Sequence, residues 1–222
     1  SSGVQIPSAL VEDLTPVITA KTKNGVLSFF CPGRLPVFRA KTLLTKEPET
    51  IEWIDGFEEN SVFWDIGSNV GVYSLYAGMK KGVEVVAFEP ATPNLYALNR
   101  NIEINQLEKK ILALGIAFND VTCLYQFYMS NTEIGSALHS FSQTTDWQGK
   151  SFTPKFKQGV IGFSIDEFIR KFSPQFPTHI KIDVDGIENR IVEGGRETIA
   201  DSRLKSMLVE LDENKPEDRK SV

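Results

Sequence analysis

The residues able to do chemistry fall in two short segments, and the first is Asp65-Ile66-Gly67-Ser68-Asn69-Val70-Gly71. Glycines between an apolar run and an amphipathic one allow a tight turn, and they let a ligand approach backbone amides at a helix N-terminus. Glu89 follows 22 residues after Gly67, at the end of the next apolar run. An acid there is placed to hydrogen-bond a ribose diol. A lone glycine turn would merely end a strand; strand, turn, helix, strand and terminal acid in that order read as a nucleoside site. A dinucleotide site needs glycine at the second position of its fingerprint so that backbone can approach a pyrophosphate. Asn69 stands at that position. The pattern therefore fits a ligand with a ribose and a charged tail but no pyrophosphate. S-adenosylmethionine is such a ligand, with Glu89 on its ribose and Asp65 attracting its ammonium group, and NAD fits less well.

The second segment is Ile180-Lys181-Ile182-Asp183-Val184-Asp185-Gly186-Ile187-Glu188. With a period of two, Lys181, Asp183 and Asp185 share one face of a strand. Interior strands of a parallel sheet are apolar on both faces, so such a face is costly unless it is paired or wetted by a cleft. Ligands bind at the carboxyl ends of strands in such sheets, which puts Asp183 and Asp185 in one crevice with Gly67 and Glu89. An edge strand with a solvated face, or Lys181 simply neutralising Asp183, are the plainer readings. His139, in a loop-like stretch, is a candidate general base. His179 reads as structural. Cys31 and Cys123 read as packing residues, and Trp53, Trp64 and Trp147 as core or rim.

The elements that must position these groups alternate between strands and helices, the pattern of an α/β fold with a parallel sheet. Strands are expected at 61–66, 83–88, 111–118, 121–129, 179–184 and 206–211. Helices are expected from Val72 through Met79, from Thr92 as N-cap towards Leu107, over 164–172 behind a capping box at Ser164, and over 187–199. Residues 130–157 read as a polar, loop-rich stretch. Residues 1–50, broken by Pro7, Pro16, Pro32, Pro36 and Pro48, are expected to pack on the core or cover the site. Residues 51–222 form the main domain.

The chain has 222 residues, 41% hydrophobic and 24% charged, with a net charge of −5. That is the composition of a soluble globular domain and a poor one for a general nucleic-acid or anionic-membrane binder. Two distant cysteines exclude a disulfide scaffold and a cysteine zinc site. No apolar run reaches the ~18 residues of a membrane span and no signal-peptide pattern opens the chain, so a cytoplasmic location is expected.

Together, the 65–71 turn, Phe88-Glu89-Pro90 and the 180–188 segment resemble the FkbM family of S-adenosylmethionine-dependent methyltransferases. Glu47-Pro48-Glu49-Thr50, Gly115-Ile116-Ala117-Phe118, the Gly135-Ser136 loop and Leu208-Val209-Glu210 are similar to further family segments. The resemblance spans roughly residues 39–212. It implies a doubly wound, mostly parallel, Rossmann-like methyltransferase fold binding S-adenosylmethionine. Asp65, Gly67, Asn69 and Gly71 would frame the methionine part and Glu89 the ribose, with Asn94 and the Ala117 backbone near the adenine. It further implies O-methylation of a hydroxyl on a sugar, glycan or natural-product-type small molecule. Asp185 stands where the family has glutamate. Only a short polar stretch follows Leu211, so the family's closing antiparallel strands are expected to be missing or replaced.

Asp183 is the leading candidate for the base that removes the hydroxyl proton, with Asp185 and His139 behind it. A divalent metal held by Asp183, Asp185 and Glu188 is an open alternative. An NAD(P)-dependent oxidoreductase or epimerase and a non-catalytic nucleoside-binding domain are the rival classes. Nucleic-acid methylation is weaker still, hinted at only by Lys150, Lys155 and Lys157 near Trp147 and Phe152. The acceptor and the oligomeric state are not legible.

Overall fold

In a computed structural model the described residues are 10, 14–129, 131–136, 154–184 and 186–210, with 139–141 as main chain. The architecture is α/β, with a five-stranded, all-parallel sheet at its centre. Its strands are β3 (Val62–Ile66), β4 (Glu84–Phe88), β5 (Ile111–Leu114), β10 (His179–Ile182) and β11 (Ser206–Val209), in the order β11-β10-β3-β4-β5. The order reverses between β3 and β10, and ligands of such sheets bind in the crevice where that happens.

Strand alternation sorts the core into two layers. Phe63, Val85, Ala87 and Ile111 pack on one side with Leu75 and Leu98, from α3 (Val72–Gly78) and α4 (Thr92–Ile104). Trp64, Ile66, Val86, Phe88, Ile180 and Ile182 pack on the other. There they meet Phe168 of α5 (Ile165–Phe172) and Ile191 of α6 (Glu188–Glu193). Trp64, Phe88, Phe118 and Phe168 form a cluster with ring centroids 4.7–6.1 Å apart, every pair edge-to-face except the stacked Trp64–Phe118. Trp64 is therefore core, and Trp53 packs edge-on against Phe57, Phe63 and His179; Trp147 lies outside the described residues.

A hairpin, β1 (Val17–Thr22) and β2 (Gly25–Phe30), lies over α4. Buried Asn101 holds it there, accepting from Phe30 N (2.7 Å) and donating to Val70 O (2.8 Å). Next come α1 (Arg34–Thr42) and α2 (Pro48–Asp55). A second sheet, β6-β9-β7-β8, joins β6 (Ala117–Phe118), β7 (Cys123–Met129), β8 (His139–Phe141) and β9 (Phe156–Phe163).

Several expected elements differ. The run 111–118 is two strands: β5 pairs with β4, whereas β6 pairs with β9 in the other sheet. Gly115 sits at the break, where a Cβ would come 2.8 Å from Leu95. The stretch read as loop contains β8 and the start of β9. Gly159 and Gly162 mask β9 in the sequence, and the Tyr125 ring fills the space a Cβ at Gly162 would need (2.4 Å). The helix expected over 187–199 breaks at Gly194-Gly195 into α6 and α7 (Arg196–Ala200); a Cβ at Gly194 would come within 2.3 Å of the Asn119 carbonyl oxygen. Thr92 is the first helical residue and Ala91 the cap; the Thr92 hydroxyl donates to Gln158 instead. Ser164 caps α5 as expected, accepting from Glu167 N at 3.2 Å. Among the described residues no helix is long and apolar enough to cross a membrane.

Candidate functional site

Register assembles the site. His179 and Lys181 pair with Phe63 and Asp65 on β3, and with Ser206 and Leu208 on β11. One residue beyond the last pairs, Glu210, Asp183, Gly67 and Glu89 come off four adjacent strands side by side, on the face that carries Lys181 and Asp65. A row of charges at strand ends is tolerable only beside a cavity. All six residues line one, of about 250 Å³, closed on another side by Arg39, Thr42, Leu43, Lys46 and Glu47 from α1 and the segment after it.

The turn after β3 is shaped by its residue types. Gly67 has φ +84°, and a Cβ there would lie 1.9 Å from the Asp183 carbonyl oxygen. Only glycine allows both the backbone angle and the approach. Gly67 N and Ser68 N donate to Phe88 O at 3.0 and 3.1 Å. Asn69 takes the left-handed conformation, φ +52°, which asparagine tolerates better than most residues. Its N–H donates to Glu89 Oε2 (2.8 Å) and its side-chain amide to Ser136 O (2.9 Å). Glu89 also accepts from Ala91 N at 2.8 Å, so its carboxylate is aimed by two backbone amides.

Asp65 and Lys181 are each 1% exposed. Asp65 Oδ2 accepts from Ser74 Oγ at 2.5 Å. Burial pushes the Asp65 carboxyl above the usual range, against the opposing pull of Lys181 and Ser74. The Lys181 ammonium lies 5.0 Å from the centre of the Tyr73 ring and ion-pairs with Asp183. Burial would lower its pKa, yet Asp183 and Asp65 together hold it above the ordinary lysine value. Asp65 Oδ1 and Ser68 Oγ, both buried at the cavity wall, have no hydrogen-bond partner among the described residues.

Of the residues named from the sequence, Asp65, Gly67, Asn69, Glu89, Asn94 and Asp183 line this cavity. Asn94 gives its amide to the loop opposite, accepting from Gly135 N (2.8 Å) and donating to Ser136 O (3.1 Å). Three residues stand elsewhere. Gly71 caps α3 with φ +87°, where a Cβ would meet Leu98 at 2.3 Å, so it serves helix packing. Ala117 is buried with Tyr125 and Phe127 of the second sheet. Glu188 is buried outside the cavity lining, accepting from Gly186 N at 3.2 Å. Of the possible metal set, Asp183 lines the cavity, Glu188 does not, and Asp185 lies outside the described residues, among which no group of three His, Cys, Asp or Glu that could hold a metal ion occurs. Asp185 and the His139 side chain lie outside the described residues, as do Lys150 and Phe152. The main chain of His139 opens β8 opposite Met129. His179 is structural, its ring stacked on Phe57 at 3.9 Å.

The reading from sequence had no place in the site for Arg39, Lys46 or Tyr73, and it met Glu47 and Glu210 only as parts of similar segments. Nothing local marks the first three. Glu210 had a signal: an acid just after an apolar strand, as at Glu89.

The methyltransferase FkbM domain matches residues 65–221. No curated protein matches. Among solved structures, the chain is similar to precorrin-6y C5,15-methyltransferase from Geobacter metallireducens, with 13% identity, TM-score 0.44, and 77% of this chain and 65% of that one covered. It is similar to a SAM-dependent methyltransferase from Agrobacterium tumefaciens, with 14% identity, TM-score 0.35, and 45% and 32% covered. It is also similar to P. horikoshii TYW2 in complex with MeSAdo, with 17% identity, TM-score 0.35, and 46% and 36% covered. The chain thus spans less than two thirds of each of these proteins. The family match alone takes in most of the chain and every strand of the central sheet from Asp65 onward, and by it the chain belongs to the FkbM methyltransferase domain family.

Proposed function

We propose that the protein is an S-adenosylmethionine-dependent methyltransferase acting on a hydroxyl of a sugar, glycan or natural-product-type small molecule. The observation that carries the cofactor is a pair of buried atoms in the wall of an acid-rich cavity, Asp65 Oδ1 and Ser68 Oγ, that have no partner among the described residues. Leaving such atoms unsatisfied costs roughly 1–3 kcal/mol each, and a ligand bearing an ammonium group relieves both. Asp65 and Ser68 would hold the amino-acid end and Glu89 the ribose hydroxyls. Asn69, its side chain committed to Ser136, stands at the fingerprint position where a dinucleotide site needs glycine.

When bound, S-adenosylmethionine supplies an electrophilic methyl carbon attached to a good leaving group. The chain must orient the acceptor and take its proton. Asp183 is the base in this reading. Burial alone would raise its carboxyl, but Lys181 overrides that and keeps it ionised well below the usual carboxylate range. Positioned base catalysis of this kind is worth ~10²–10⁴-fold.

Calorimetric titration with S-adenosylhomocysteine, with NAD in parallel and Glu89→Ala as control, tests the cofactor assignment. Saturable binding that the control loses, with none to NAD, is expected. Binding of NAD in preference would overturn it, as would absence of S-adenosylhomocysteine binding to the folded protein.

A further inference from the structure

Asp183 and Glu210 leave β10 and β11 at matching positions. The two strands are parallel, with Ile182 opposite Val209, and Glu210 N donates to Ile182 O at 3.0 Å. Both side chains line the cavity from the same face of the sheet, so each carboxyl group lies in the field of the other. Two carboxylates so placed offer each other only lone pairs and like charge, an arrangement that one shared proton relieves.

The surroundings decide which group keeps it. Asp183 is ion-paired to the buried Lys181 on its own strand, and the Lys46 ammonium acts on it from the segment between α1 and α2. On β3, Asp65 competes for the charge of Lys181. From α3, Tyr73 lays its ring under that ammonium, and the Glu47 carboxylate lies near enough to raise its phenol. Glu210 feels the Glu47 carboxylate as well as that of Asp183, with Lys181 opposing both. Every cation here favours charge on Asp183, and the nearest anions disfavour it on Glu210.

We propose that Asp183 and Glu210 form one proton-sharing unit at the mouth of the site, with the negative charge on Asp183 and the proton on Glu210 at neutral pH. Hydrogen bonding with Asp183 and the charge of Asp183 push Glu210 up to about 8. Under the methyl-transfer reading, on which the chemical role rests, the unit offers an acceptor hydroxyl the lone pairs of the Asp183 carboxylate, its one proton being held between the two groups. As the hydroxyl oxygen bonds to the methyl carbon and the carbon–sulfur electron pair stays on sulfur, the hydroxyl proton passes to Asp183. The unit then carries two protons and sheds one to solvent through Glu210, which is exposed at the cavity mouth.

Carbon-13 NMR of protein labelled at the glutamate side-chain carboxyls, titrated from pH 5 to 10, reads this in the free protein. One signal is expected to stay protonated past pH 7 and to titrate near pH 8, to vanish in Glu210→Gln and to persist in the surface control Glu103→Gln. Titration of every glutamate below pH 6 would overturn the unit, as would a late signal that survives in Glu210→Gln. S-adenosylhomocysteine binding is measured on the same samples. Loss of binding with the late titration intact sinks the methyl-transfer reading and leaves the unit; binding without the late titration does the reverse.

Discussion

Lowering the pH should loosen the strand that carries Lys181 and Asp183, and the cause lies two residues before Lys181. His179 is 7% exposed. Its ring stacks on Phe57 and meets Trp53 edge-on. Trp53 Nε1 donates to Ser206 Oγ at 2.9 Å, and Ser206 Oγ lies 2.8 Å from His179 Nδ1. Nδ1 thus faces the Ser206 hydroxyl and Nε2 the Ser61 hydroxyl at 3.4 Å, and a neutral ring serves one as acceptor and the other as donor. Burial, then the Lys205 charge, lowers His179 to about 4, with Glu58 opposing.

A histidine depressed in the folded state binds its proton more readily when unfolded. The stabilisation is therefore complete above the unfolded value of ~6.5 and is lost as pH falls through about 4. A shift of that size is worth about 3 kcal/mol at most, at ~1.4 kcal/mol per unit. The assay is urea unfolding at half-unit steps from pH 7.5 to 4, comparing the wild type with His179→Phe, which keeps the stacking and cannot titrate. Wild-type stability should fall more steeply than that of the variant by about 2–3 kcal/mol over this window. Parallel curves would refute the argument, because the acid sensitivity would then belong to other groups.

Three substitutions test other joints. Asn101→Ala strands Phe30 N and Val70 O and should cost about 2–4 kcal/mol, read as a lower urea midpoint with an unchanged slope; a loss under 1 kcal/mol would show that the hairpin is held by something else. Gly67→Ala forces a Cβ against the Asp183 carbonyl at positive φ, so it should destabilise by at least about 3 kcal/mol and weaken S-adenosylhomocysteine binding. Asp183→Asn should leave that binding within about threefold while lowering methyl transfer by ~10²–10⁴, measured once an acceptor is in hand; full activity would remove Asp183 from the chemistry.

Much of this site was legible because its signals are short-range. Alternation put Lys181 and Asp183 on one face, and the structure pairs them. Glycine and asparagine spacing marked the 65–71 turn, since positive φ at Gly67 and Asn69 narrows the choice of residue. Tertiary structure decided the rest. Periodicity cannot say that β10 inserts between β3 and β11, yet that order brings Asp183 beside Glu210 and Lys181 beside Asp65. It cannot say that Gly115 sends one apolar run into two sheets, or that α1 and Lys46-Glu47 wall the cavity. Asn94 and Gly71 carry the same lesson: their neighbours, Ser136 and Leu98, are 42 and 27 residues away in the chain. Local spacing dictates what a residue can do in its own turn or strand; which partner it meets follows from burying the whole core at once.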